Sequence, residues 1–250
     1  MPGCRYRPKP PLAPLVECLW HWQGSPGPHL QERLLPQGQA AMILNLHDQP
    51  IAIYEDHSGA RHYGTAVLSG ARSNCFTIDC NQQEHVVGVQ FAPGGASPFF
   101  RMPISELEDA SFDMADLWDA KAGWVRERVL AAPTPRAMLE VLATCLEERL
   151  GTYAQAGFGY TARLHPAVVY MARELDICDG PGRVQTVTGK IGMSQRRVAQ
   201  LFHEQVGVSP KTSSRAALPA HARAAARRAP GELGRSCRRM RLLRSGASEP

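Results

Sequence analysis

At 250 residues, 44% of them apolar and 20% charged, the chain can bury one large core or two smaller ones and is not disordered throughout. Its formal charge of +5 does not by itself mark a nucleic-acid binder, because residues 211–250 hold ten Lys or Arg and two acids, leaving −3 for residues 1–210. No run of about twenty apolar residues is present to span a bilayer, and the opening MPGCRYRPKPPLAP lacks the apolar core of an export signal, so a cytoplasmic protein without membrane contact is expected.

The first hundred residues read mostly as short strands: Val16 to Trp22, Ala41 to Leu46, Ile51 to Tyr54, Cys75 to Asp79 and His85 to Phe91. Each is apolar or alternating and is bounded by Gly, Pro, Asn or Asp, the pattern of a small barrel or sandwich. In FAPGGASPFF, Pro93 and Gly94-Gly95 read as a tight turn, and Phe99 and Phe100 as the seat of a following helix. From Ile104 the period lengthens. SELEDASFDMADLW, AGWVRERVLAA and TPRAMLEVLATCLEERL read as helices, the last with Thr134 as cap and Pro135 in its first turn. Residues 151–160, GTYAQAGFGY, read as a linker, and a new helix is expected from Pro166.

Val184 to Thr212, VQTVTGKIGMSQRRVAQLFHEQVGVSPKT, lays out a short helix, a glycine turn and a capped second helix. That is the order of a helix-turn-helix that enters a major groove. Ser194 is the expected N-cap, since its hydroxyl can accept from a free N–H in the first turn. Val198, Leu201, Phe202 and Gln205-Val206 keep the three-and-four spacing of a buried stripe, and the other side carries Gln195, Arg196, Arg197, Gln200, His203 and Glu204. Arg and Gln present the paired donors and acceptors that read guanine and adenine edges. Spacing alone leaves a plain helical hairpin open as well.

Seven cysteines lie at 4, 18, 75, 80, 145, 178 and 237 without a CxxC pair, and are expected as free thiols. The nine histidines show neither HxH nor HExxH spacing and read as surface or loop residues, without a metal. No GxSxG, phosphate-loop or GxGxxG turn occurs, so neither enzymatic activity nor a cofactor is expected.

SQRRVAQLFHEQVGVSPKT resembles the first helix-turn-helix of AraC-type bacterial transcription regulators, through the Ser cap, the contact pair, LxxLFxxxVG spacing and SPK. Leu34-Leu35-Pro36, Asn45-Leu46 and GVQFAPGGASPFF are similar, less specifically, to a β-rich sensor module of some members. The resemblance implies a ligand-responsive transcription factor of α+β fold that binds double-stranded promoter DNA. A small-molecule effector and a second subunit are the further partners it implies. By position in the family's recognition helix, Arg196 and Gln200, with Gln195 beside them, would touch base edges, Ser194 would cap the reader, and Arg197, His203 and Lys211 would touch phosphate. The expected divisions are a sensor module over 1–103, its helical extension over 104–150, a linker over 151–164, the DNA-binding unit over 165–212 and a disordered basic tail over 213–250.

That tail departs from the resemblance, which calls for a linker helix and a second helix-turn-helix. Read one base on, a permitted set of codons for Met240 to Glu249 spells CGYFDQAHLN, similar to the core of the family's second reader. The same shift over Arg215 to Arg223 permits VLRFQRTR, similar to its linker helix. A shifted reading frame after the first helix-turn-helix is therefore the expectation, with impaired DNA binding as its consequence. A natural basic arm on phosphates is the alternative. A ligand-binding or dimerising protein that no longer binds DNA, and a metal-dependent enzyme on the β-rich module, are the rival functions.

Overall fold

The computed structural model describes residues 3–25, 31–36, 38–55, 59–100, 102–155, 164–177 and 183–213. Among the described residues ten strands come first: β1 (Cys4–Tyr6), β2 (Val16–Gln23), β3 (Gln31–Leu34), β4 (Ala41–Asn45), β5 (Ile51–Tyr54), β6 (Ala60–Tyr63), β7 (Ala66–Ser69), β8 (Phe76–Asp79), β9 (His85–Phe91) and β10 (Ser111–Asp113). They form a six-stranded sheet in the order β1-β2-β9-β4-β7-β10 and a four-stranded sheet in the order β3-β8-β5-β6. The described pairings are all antiparallel. Helices follow: α1 (Met114–Trp118), α2 (Lys121–Leu130), α3 (Pro135–Gln155), α4 (Pro166–Ile177), α5 (Arg183–Ile191) and α6 (Gln195–Val206). The fold is α+β, as expected.

Alternation along the strands decides which side of the large sheet meets what. Leu19, Met42, Leu44, Leu68, Val87 and Val89 share one core with Phe99, Phe100, Trp118, Val125, Leu139, Leu142 and Leu146, so α1–α3 cover that face. Ile43 and Val67, one residue out of phase, join Ile51, Ile53, Tyr63 and Phe76 of the small sheet on the other face. The expected seat for the helices is present: Phe100 stacks on Trp118 with centroids 5.7 Å apart, and Trp118 Nε1 donates to the carbonyl of Phe99. Arg126 of α2 is buried and clamps the end of β4, donating to the carbonyls of Asn45 (2.8 Å) and Leu46 (3.3 Å) and to Asp48.

Several expectations need correction. Residues 105–118 are not one helix. A 3-10 turn (Ile104–Leu107) gives way to β10, which pairs with β7 and completes the large sheet, and only then does α1 begin. Asp113 ends the strand and caps α1, accepting from the Ala115 amide. The large sheet therefore extends past the boundary read at 103. Helix α3, capped by the Thr134 hydroxyl, runs to Gln155, so the segment read as a linker from 151 begins as helix. His21 is no surface residue: it is 5% exposed on β2 and its Nε2 lies 3.1 Å from that of His85. The basic tail from 214 onward and the linker over 156–163 lie outside the described residues. No helix among the described residues is long and apolar enough to cross a membrane.

Candidate nucleic-acid interface

Helices α4, α5 and α6 pack on one another around Val168, Met171, Leu175, Val187, Val198, Leu201, Phe202, Val206 and Val208. The turn between α5 and α6 depends on Gly192, whose φ of 71° is unfavourable for any residue with a β-carbon. Ser194 leaves the turn in extended conformation, and its Oγ accepts from the Arg197 amide at 3.3 Å, as its expected role as N-cap requires. At the other end Gly207, with φ 93°, closes the helix in the left-handed region and donates its N–H to the carbonyl of His203 at 2.9 Å.

The stripe read from spacing is buried: Val198, Phe202 and Val206 are at most 1% exposed, and Leu201 is 9% exposed. Gln205 is half-buried, and its Oε1 accepts from the His165 amide at the start of α4. Ser194, Gln195, Arg196, Arg197 and Gln200 all face solvent. Gln200 is held along the helix, accepting from Arg197 Nη1 at 3.3 Å and donating to Glu204 Oε1 at 2.8 Å. His203 is partly exposed, with its Nδ1 3.8 Å from Glu108 Oε2 of the β-rich module. Lys211 is exposed on the first turn of a further helical segment over 210–213. Ser209 caps that turn, accepting from the Thr212 amide at 3.1 Å.

The open face thus gathers Gln195, Arg196, Arg197 and Gln200 on a rigid helix, with one carboxylate, Glu204, at its far end. Lys190, exposed in the last turn of α5 just before the glycine turn, was not among the residues singled out from sequence. Its signal is a cation in the last turn of the first helix, where the macrodipole favours it. Among the described residues no group of three or more His, Cys, Asp or Glu is placed to hold a metal ion. Cys75 and Cys80 stand at either end of β8 as separate thiols.

The chain is an α+β protein with two antiparallel sheets, a helical layer and a three-helix unit at residues 166–206. Residues 4–113 match a protein family described as "Domain of unknown function (DUF6597)". The match begins with β1 and ends with β10, so it spans both sheets. No curated protein and no solved structure matches the chain at a significant level.

Proposed function

We propose that this protein is a sequence-specific, DNA-binding transcription regulator of AraC type, whose β-rich module senses a small molecule or pairs subunits and whose DNA binding is impaired by loss of the second helix-turn-helix. One observation carries the reading. Helix α6 buries Val198, Leu201, Phe202 and Val206 and still leaves Gln195, Arg196, Arg197 and Gln200 open to solvent behind a serine cap. A helix presented in this way can lie in a major groove with its N-terminal side chains at base edges. Arg196 and Gln200 are the base-edge candidates, and Arg197, Lys190 and Lys211 the phosphate candidates. His203, only partly exposed and beside Glu108, is the weakest of the earlier set.

The test is selection from random duplexes with the full chain at low salt, followed by titration of the enriched duplex. An enriched motif is expected, with Arg196→Ala losing about 1–3 kcal/mol of discrimination at one base pair. No enriched sequence, or equal behaviour of the variant, would reject the reading.

A second reading keeps the β-rich module as a ligand-binding or dimerising protein without DNA affinity. The pairing of Gln200 to both neighbours favours it, since a base contact has to displace those bonds. Gel shift alongside calorimetry with candidate metabolites separates the two.

A further inference from the structure

Two loops of the β-rich module are bolted together at the point where they meet the three-helix unit. The first, residues 70–74, follows β7; the second, residues 107–111, leads into β10. Gly70 donates its N–H to the carbonyl of Ala110, and Asp109 to that of Ala71. The Asp109 carboxylate accepts from the amides of Ser73 (2.7 Å) and Asn74 (3.2 Å) and from the Ser73 hydroxyl. Arg72, only 4% exposed, donates to the carbonyl of Asp109 at 2.6 Å, to Ser111 Oγ and to Glu55 at the end of β5. Its guanidinium also lies 4.7 Å from the Phe76 ring centre on β8. A β-carbon on Gly70 would stand 1.7 Å from the Leu107 carbonyl, so the two backbones meet with no room for a side chain.

The outer side of this wedge belongs to the other core. Ala71 is fully buried and belongs to the core of the three-helix unit, with Val168, Met171, Val198 and Phe202, and not to the cores of the sheets. The 3-10 turn Ile104–Leu107 lies against α6, and a β-carbon on Gly207 would be 3.0 Å from the Ile104 carbonyl. Glu108 faces His203.

We infer that the wedge of residues 70–74 and 107–111 is the seat on which the β-rich module positions α6, with Arg72 a positioning residue acting through Ala71. Its two loops hang from neighbouring strands of the large sheet, β7 and β10, while Arg72 reaches Glu55 and Phe76 of the small one. A shift of either sheet relative to the other therefore has to move the seat. The consequence for DNA rests on the proposed function, but the seating itself is independent of it.

The experiment is site-resolved amide hydrogen exchange on the full chain without DNA. Arg72→Ala should speed exchange in α6 by about tenfold or more while β2, β4 and β9 keep their protection. Ala71→Asp, which leaves every Arg72 bond in place and puts a charge into the second core, should do the same. The double variant should exceed neither single by much, because both remove one contact. If Arg72→Ala unfolds the whole chain, Ala71→Asp decides alone. In any variant that stays folded, unchanged α6 exchange, equal loss of protection in strands and helices, or additive effects would each overturn the inference. Failure to bind any duplex in wild type and variants alike would count against the DNA reading and leave the seat intact.

Discussion

The Nε2 atoms of His21 and His85 stand 3.1 Å apart on neighbouring strands, so one imidazole donates and the other accepts. That arrangement needs at least one neutral ring. Burial holds both imidazoles below the ordinary histidine range, and for His85 the nearby His21 and His47 add to it. The unfolded chain therefore takes up protons first as the pH falls. Stability should be full above an ordinary histidine pKa of about 6.5 and decline as the pH drops below it. Urea midpoints between pH 8 and 5 test this. His21→Gln should flatten the profile, and a wild-type midpoint constant across that range would contradict the assignment.

Both ends of α6 are held by residues with one specific task. Ser194→Ala removes the acceptor for the Arg197 amide and should cost about 1 kcal/mol. Gly207→Ala forces a β-carbon into the left-handed region and towards the Ile104 carbonyl, and should cost more than about 1 kcal/mol. Thermal unfolding followed by circular dichroism would rank them. The reverse order would mean that the seat behind Gly207 yields easily.

Arg126 links α2 to the end of β4. Arg126→Met preserves much of the buried stem but leaves the carbonyls of Asn45 and Leu46 without their donor. The expected loss is about 2 kcal/mol, from unpaired buried acceptors. Asp48 is exposed and adds little, so Asp48→Asn should lie within about 0.5 kcal/mol of wild type. Denaturant titration of both variants separates the two contributions.

Salt dependence would distinguish the DNA-contact roles proposed for the cations. Lys211→Ala should weaken every duplex alike and reduce the slope of log affinity against log salt by about one. Arg196→Ala should instead change the preferred sequence. Anisotropy titrations at several salt concentrations read both, and a Lys211 effect confined to one sequence would reverse the assignment.

Much of this molecule follows from local pattern. The strands Val16 to Trp22, Ile51 to Tyr54 and His85 to Phe91 were readable because apolar runs end at turn residues, and Ser194 because a cap precedes a three-and-four stripe. Strands β3 (QERL) and β6 (ARHY) were not: both are edge strands with mostly exposed residues, and their partners β8 and β5 hold them extended. Strand β7 (AVLS) is buried on both faces and so shows no alternation. Strand β10 was hidden inside a helical pattern, since only its pairing with β7 keeps SFD extended. The open face of α6 was legible residue by residue. Its seat was not, because Ala71, Arg72, Ile104 and Asp109 meet only through the fold.

The late arrival of β10 bears on how the halves of this protein can be prepared separately. A fragment cut where the long run of strands stops, near residue 103, would strip β7 of its neighbour Ser111–Asp113 and remove α1–α3 from the large sheet's core. Such a piece would present a bare sheet edge and an oily face to its own copies, a recipe for precipitation. A usable β-rich fragment has to extend through α3, whose last described residue is Gln155.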